Sequence, residues 1–403
     1  MTVTFTLPRS FAPAEFLSGR LALRADDARW LVSTILRKTA SRDLDLWGCA
    51  RLHSEILYRV IGDHAGQLIR ALEAGDAIET TPYRAGVRTR GYRLACRYLG
   101  DRCVRVPCVD PRLRERLERE RKRMQDQAEQ ARGRWLPIHH ALDAEQRRLS
   151  IAPEADAILD VLPDHTRLCQ SVLVDRLRHQ EFPFSLSTTG RVFNGITGLK
   201  RELRMALRIG GERVGGVDIC CAQPALLALA MTRETPTNGL RGPETYKQYS
   251  RPPSPPLAPC PDSPALCSLP ASAERFRALA LAGLLYEHLM DLTSLDRDEV
   301  KQRLLVDVLA KRGNYPSDVE QVFRREFPSV HGFVRSVNRR DHAELIRRLQ
   351  RLESWLVVEQ VAPLLVGRVP CVTLHDAIYT VEPGLDAVEA AFEHVFEEMG
   401  CRL

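Results

Sequence analysis

The sequence predicts an α+β fold built from several domains, on three observations. The chain has 403 residues, 44% of them hydrophobic, which is enough for more than one core. Apolar residues recur at helical spacing over long stretches of the N-terminal and central regions. Short apolar runs such as Gly215–Cys221 and Val369–Val381 are bounded by tight turns, as strands are. A charged fraction of 27% excludes a mostly disordered chain. No apolar run reaches about 18 residues, so no membrane partner is expected. The N-terminus lacks a basic segment followed by an apolar block, so no secretory signal is read. The eleven cysteines are odd in number, irregularly spaced and never in a CxxC. They read as reduced thiols of a cytoplasmic protein.

Residues 28–99 carry a recognisable order. Leu31–Arg37 and Leu52–Ile61 have helical periodicity. His64–Glu73 is a third helix, ended by Gly75. Ala77–Thr81 and Tyr92–Cys96 then read as two strands, with Arg84, Arg88, Arg90 and Arg93 around the connection. Helices followed by a basic hairpin resemble a winged helix. In that arrangement a helix enters a groove and the hairpin arginines hold phosphates. Residues 1–105 are therefore assigned as a winged-helix-like nucleic-acid-binding domain, with Arg88 and Arg90 as backbone contacts. A winged fold that mediates only protein contacts stays open.

Charge is concentrated just beyond. Residues 84–134 hold 16 Lys+Arg and 7 Asp+Glu, a larger excess than the whole chain's +6. A local basic block points to a polyanion more strongly than a global excess does. Pro111–Arg134 has only Leu113 and Leu117 as an apolar stripe, so it reads as a spacer or a nucleic-acid-facing arm. A solvated helix laced with ion pairs is the alternative. Residues 106–184 form a charged helical region, including Ala155–Leu162 and Leu168–His179. His139 and His140 are isolated and read as structural or exposed.

Residues 236–274 are a proline-rich insert, containing RPPSPPLAPCPDSP, too rich in proline for a helix or central strand. It separates residues 185–235 from 275–345 and 346–403.

The chemistry concentrates in these flanking blocks. Gly215–Cys221 reads as a short buried strand with Asp218 at its end, and Gln223-Pro224 opens an apolar helix, with proline at its first position. Val369–Val381 reads as two strands joined at His375-Asp376. If the hairpin lies beside the Asp218 strand, two carboxylates share one site and need a cation. Two carboxylates with open coordination positions suit Mg²⁺, which keeps waters and takes phosphate oxygens. Two such ions clamp the attacking and leaving oxygens of a phosphoryl transfer. Asp296 reads as the N-cap of a helix, with Glu299 as its capping-box partner. Arg297 and Lys301 share one face of that helix, where cations suit a triphosphate.

In order, these blocks resemble the palm and fingers of the family A DNA polymerase and single-subunit RNA polymerase superfamily. Thr189-Gly190-Arg191, followed by Leu199–Arg204, resembles the segment before the first carboxylate motif. Asp218, with Gln223 five residues on, resembles that motif. Arg297 and Lys301 resemble the fingers-helix motif, and Glu326–Val330 the Phe-Pro segment after it. Gln350 falls where the family has a glutamine-containing helix, and His375-Asp376 resembles the last motif. The likeness covers residues 185–403 without the insert.

The resemblance implies a polymerase-like right hand: an antiparallel palm sheet, helical fingers at 275–345 and a helical thumb-like segment within 106–184, preceded by the winged-helix-like domain. It implies that Asp218 and Asp376, with the Ile219 carbonyl, hold two Mg²⁺ ions, Mn²⁺ being the alternative. Arg297 and Lys301 would bind the triphosphate, and Lys301 would protonate the leaving pyrophosphate. Gln223 would lie under the incoming sugar. Arg191, Gln350 and His375 would touch primer–template. The chain departs from the DNA polymerases at Gln223 and Ala377, where they carry glutamates. It also departs at Leu305 and Leu309, where an aromatic residue and a tyrosine are expected; Tyr315 lies further on. No proofreading carboxylate set is visible.

The expected function is template-directed nucleotidyl transfer, as a family A-like DNA polymerase in DNA replication, with nucleoside triphosphates and primer–template DNA or RNA as partners. RNA polymerase or primase-like activity of the same fold is one alternative. A catalytically inactive nucleic-acid-binding replication or regulatory protein is another. A two-aspartate nuclease leaves Arg297 and Lys301 without a role.

Overall fold

The structure, a computed structural model, describes residues 3–45, 47–83, 89–233 and 269–401. Arg84, Arg88 and the proline-rich run at 251–264 lie outside the described residues. The fold is mixed α+β with antiparallel sheets. It divides into two compact units. The first comprises residues 1–135, 143–184 and 194–214; the second comprises 136–142, 185–193 and 215–403. Residues 194–214, grouped by sequence with the 185–235 block, thus belong to the first unit.

The first unit begins with β1 (Thr4–Pro8) and α1 (Ala25–Ala40). α1 is a helix because Ala28, Leu31, Val32, Ile35 and Leu36 repeat at three- and four-residue steps, and all five are fully buried. It starts six residues before the Leu31 read from sequence. Its first turn is polar, Asp26-Asp27, and those acids are buried by pairing rather than by apolarity. Next come β2 (Ala50–Arg51), α2 (Ser54–Val60), α3 (Ala65–Ala74), β3 (Ile78–Thr81) and β4 (Gly91–Leu94). α2 begins at Ser54, not Leu52, because Leu52 leaves β2 before the helix turns. Gly75 caps α3 at its C-terminus. The three strands form a sheet in the order β2-β4-β3. β3 and β4 pair antiparallel from Ile78↔Leu94 to Thr81↔Gly91.

β5 (Cys103–Pro107) pairs antiparallel with β1, and α4 (Pro111–Arg132) follows. Asp110 caps α4, accepting from the N–H groups of Arg112 and Leu113. Only Leu113 of α4 is buried, so the helix presents its charges outward as its sequence predicts. α5 (Pro137–Glu145), whose residues up to 142 belong to the second unit, is followed by β6 (Leu149–Ile151), α6 (Ala155–Val161) and α7 (Asp164–Arg178) of the first. β7 (Ser185–Leu186) and β8 (Val192–Phe193) form a hairpin of the second unit. α8 (Arg201–Arg204) and β9 (Leu207–Ile209) return to the first. β6, only three residues long and missed in the sequence, is an edge strand on β9.

β10 (Glu212–Asp218) pairs with β9 through Glu212 and Arg213. Its later residues belong to the second unit, where β12 pairs with it (below). The strand is partly exposed along its length, not buried as the apolar reading expects. Gly215 and Gly216 carry no side chain, and Val214 and Val217, three apart, point to opposite faces, which gives it too little side chain to bury on either. α9 (Ala222–Arg233) follows. It opens at Ala222, so Pro224 is its third residue rather than its first. No N–H is lost there, because the opening N–H groups of a helix lack intrahelical partners anyway.

The second unit continues with α10 (Ala271–Leu281), which begins inside the stretch assigned to the insert. Pro270 stands at its N-cap. α11 (Leu285–Thr293) and α12 (Arg297–Arg303) follow, and α12 passes into a π-helical turn at Leu304–Leu309. α13 (Asp318–Glu326) and α14 (Pro328–Val337) meet at Phe327, fully buried against Phe276 and Phe323 with centroids 5.4 and 5.3 Å away. α15 (Glu344–Ser354) is strongly amphipathic, and a second π-helical turn, Trp355–Val361, joins it to α16 (Ala362–Leu365). β11 (Val372–Leu374) and β12 (Ala377–Val381) form the last hairpin, and α17 (Leu385–Glu398) closes the chain's described part. Among the described residues no helix is long and apolar enough to cross a membrane, and no disulfide joins the described cysteines.

Candidate active site

The site is built by the ends of two paired strands. β11 and β12 pair Leu374↔Ala377, so His375-Asp376 is a two-residue turn, as the sequence predicts. His375 takes a left-handed φ of +57° there, an uncommon conformation for a side chain other than glycine or asparagine. β12 also pairs with β10. The Ile219 N–H donates to the Asp376 carbonyl at 3.2 Å, which places Asp218 and Asp376 at neighbouring strand ends. Glycine makes this approach feasible. A Cβ on Gly216 would lie 2.9 Å from the Tyr379 ring of β12, closer than carbon atoms pack.

The two carboxylates differ in environment. Asp218 is exposed, and neither it nor Asp376 has an ion-pair partner among the described residues. Asp376 is partly buried, and burial pushes its carboxyl above the usual range. The like charge of Asp218 adds to that rise, while Arg191 and Lys301 pull against it. These causes bring four of the sequence-predicted residues into one electrostatic neighbourhood: Asp218, Asp376, Arg191 and Lys301.

Arg191 is mounted by a buried acid that the sequence reading did not assign a role. Its Nε and Nη2 donate to the two carboxylate oxygens of Glu353, both at 2.8 Å. Glu353 is 1% exposed on α15, and burial raises its carboxyl despite Arg191. A legible signal existed: Leu345, Leu349 and Glu353 recur at four-residue steps, so Glu353 falls on the helix's apolar face. The turn before Arg191 is pinned by Ser187, whose Oγ accepts from the Thr189 and Arg191 N–H groups. Thr189 in turn donates to Gln350 Oε1 at 3.4 Å. Gln223 Nε2 reaches Glu353 at 3.5 Å, and its Oε1 is buried without a hydrogen-bond donor. His375 stands edge-on to Phe193, with centroids 5.9 Å apart. Arg191, Gln223, Gln350 and Glu353 thus form one connected polar network.

The helix α12 bears Asp296 as its N-cap, while the Glu299 side chain accepts from Arg303 at 2.8 Å rather than closing a capping box. Asp296 accepts from the Glu299 N–H at 2.8 Å. Arg297, Lys301 and Leu305 are all exposed, at four-residue steps. Lys301 has no ion pair among the described residues. Arg297 does: its Nε donates to Glu287 at 3.1 Å, and its guanidinium lies 5.2 Å from the Tyr286 ring centre. Leu309, by contrast, is buried, so it cannot occupy the exposed face where a tyrosine was looked for.

No family model, curated protein or solved structure matches the chain.

The oxygens that would hold a divalent cation here are those of Asp218 and Asp376, with the Ile219 carbonyl. Among the described residues no cluster of three His, Cys, Asp or Glu side chains can hold a metal by itself. Two carboxylates leave coordination positions that water and phosphate oxygens can fill, the way Mg²⁺ is usually held.

In the first unit, Arg90 is half-buried and lies 3.8 Å from Glu73. Arg93 is bonded to Glu79 across the strands. The hairpin's described arginines are therefore partly neutralised, and Arg88 lies outside the described residues. His139, in the second unit, is buried, accepts the Leu136 N–H at 3.1 Å on Nδ1, and is pushed down to about 4 by burial. It is a structural histidine.

Proposed function

We propose that the protein is a template-directed nucleotidyltransferase of the family A polymerase type, extending a primer on a nucleic-acid template with nucleoside triphosphates. The observation that carries this reading is Asp218 and Asp376 at adjoining strand ends, without protein cations of their own, beside Arg191 and Lys301. Divalent ions bound there would stabilise charge on the attacking and leaving oxygens. Lys301, exposed and unpaired among the described residues, is suited to the triphosphate and to protonating pyrophosphate as it leaves. Arg191, clamped by Glu353, would contact primer–template in this reading. Gln223, tied to the same glutamate, would lie under the incoming sugar in this reading. The helix, strand, two helices and hairpin of the first unit support a winged-helix-like nucleic-acid-binding part.

The test is incorporation of labelled nucleotides: each dNTP and NTP, Mg²⁺ or Mn²⁺, DNA or RNA template, with and without primer. dNTP incorporation identifies a DNA polymerase; NTP incorporation identifies the RNA polymerase or primase alternative. Activity that survives Asp376→Ala unchanged would overturn the assignment.

One observation favours a second reading, a nucleic-acid-binding protein without catalysis. Arg297 is engaged by Glu287 and Tyr286 rather than open to a triphosphate. That reading requires salt-sensitive nucleic-acid binding with no incorporation under any condition of the panel.

A further inference from the structure

The second unit leaves two arginines uncompensated beside a recess that nucleotidyl transfer does not use. The recess has a volume of about 190 Å³ and is lined by Val308, Lys311, Arg335, Asn338 and Arg339. Asn338 holds its walls together. Its Nδ2 donates to the Leu309 carbonyl at 2.7 Å, and its Oδ1 accepts the Leu345 N–H at 2.9 Å. The end of α14 is thereby fastened to the π-helical turn after α12. Lys311 is buried, its side chain 5% exposed, and its ammonium donates to the Tyr315 carbonyl at 2.5 Å and to Glu320. An ammonium has three donors, so one remains beyond these two. Arg335 and Arg339 are four residues apart and exposed, and neither has an ion pair among the described residues.

The acids of the adjoining segments are already engaged. Glu320 pairs with Lys311 and His331. Asp307 accepts the Tyr315 and Ser317 hydroxyls, both at 2.7 Å. Asp341 pairs with Arg347, and Glu344 with Arg347 and Arg348. The carboxyl end of a helix favours a cation. That accounts for Arg335 in the last turn of α14, but not for a buried ammonium and a second guanidinium at the same recess. We infer that this recess binds a phosphate group. Guanidinium forks match phosphate oxygens, and a phosphate presents oxygens in several directions, as three separate cations require. A carboxylate has two oxygens in one plane and leaves one cation unmatched. The volume falls below the roughly 300 Å³ at which pockets for whole organic ligands begin, so the group enters without its nucleoside. It comes from the backbone of a nucleic-acid strand or from free phosphate or pyrophosphate, whose chemistry at the recess is the same. None of the lining residues has a part in the proposed transfer, and the test needs neither metal nor triphosphate, so the inference stands or falls separately.

The test compares the full chain with its Arg335→Ala/Arg339→Ala double variant. One arm is fluorescence anisotropy with a labelled single-stranded oligonucleotide over a salt series. The other is calorimetry with inorganic phosphate and with pyrophosphate at constant ionic strength. If the phosphate belongs to a strand, the double variant binds the oligonucleotide about tenfold more weakly, the scale of lost hydrogen bonds between charged groups. Its salt slope also falls by about 0.7, the contribution of one phosphate on a single strand. If the anion is free, phosphate or pyrophosphate binds wild type and not the double variant, and strand binding is unchanged. Arg335→Lys/Arg339→Lys keeps the charge but not the forks, so it should keep the wild-type salt slope and recover part of the lost affinity. That recovery separates a lost contact from a lost fold. Arg324→Ala/Arg368→Ala removes the same charge from two other exposed positions of the second unit and should change binding by less than about twofold. Unchanged binding of strand, phosphate and pyrophosphate in the Arg335→Ala/Arg339→Ala variant, or an equal loss in the Arg324→Ala/Arg368→Ala control, would overturn the inference.

Discussion

Two pairs of neighbouring acids, one in each unit, show what separates a structural carboxylate from a candidate catalytic one. Asp26 and Asp27 begin α1, and both are buried. Asp26 accepts from the N–H groups of Val109 and Asp110, at 2.6 and 2.8 Å, and from Arg29 at 2.7 Å. Asp27 has Arg24 and Arg116 within 3.6 Å. The fold thus brings its own donors and cations to this pair, and uses it to fasten the start of α4 to α1. Asp218 and Asp376 lie at strand ends with no ion-pair partner among the described residues, and the charge of Asp218 adds to the cost that burial puts on ionising Asp376. Acids close together are common. Acids close together that the protein leaves without ion pairs are candidates for a cation from outside.

This contrast can be broken first by activity. Asp218→Ala or Asp376→Ala should lower nucleotide incorporation by about a thousandfold or more, because a single carboxylate cannot hold two dications. Asp27→Asn should leave it within about twofold by the same assay, as expected for a residue with no role in transfer. A next effect, on stability, concerns the mount of Arg191. Glu353→Ala leaves a largely buried guanidinium without its partner, and urea unfolding should show a loss on the order of 3 kcal/mol. Replacing both Arg191 and Glu353 by leucine should recover part of it; a double variant no better than Glu353→Ala would contradict that account.

Smaller effects sharpen the comparison. Gly216→Ala forces Tyr379 to move and should cost about 1–3 kcal/mol in the same urea titration, since overpacking displaces side chains and backbone. Asp27 supplies a pH dependence. Burial pushes its carboxyl up to about 6, against the pull of Arg116 and Arg24. The folded state therefore holds this proton more tightly than the unfolded state does. Its contribution favours the fold in acid and is lost as pH rises through about 6. The melting temperature of wild type relative to Asp27→Asn should fall between the ordinary aspartate range and neutrality, and a flat difference would contradict the assignment. The smallest effect is the α12 cap: Asp296→Ala should cost about 1 kcal/mol.

Much of the site was legible because it is local. The His375-Asp376 turn is announced by apolar runs on both sides, and the α12 N-cap by Asp296, although Glu299 pairs with Arg303 instead of completing a capping box. α3 and its Gly75 stop follow from periodicity alone. What the sequence concealed depends on distant partners. Whether Arg297 is open or occupied is decided by Glu287 and Tyr286 on the preceding helix. The Arg191–Glu353 clamp joins residues 162 apart in the chain, so no local pattern shows it. β10 was misread as buried because valine and isoleucine signal a core strand, whereas Gly215 and Gly216 leave it partly open. The start of α1 was hidden because Asp26 and Asp27 are buried by charge pairing, which periodicity of apolar residues cannot register.

The most direct measurement is Mn²⁺ titration by electron paramagnetic resonance, with a nucleoside triphosphate present, on wild type, Asp218→Asn, Asp376→Asn and Asp27→Asn. If Asp218 and Asp376 jointly hold the ions, each of their variants loses the bound-Mn²⁺ signal while Asp27→Asn keeps it. Wild-type Mn²⁺ affinity in either Asp218→Asn or Asp376→Asn would contradict a shared site.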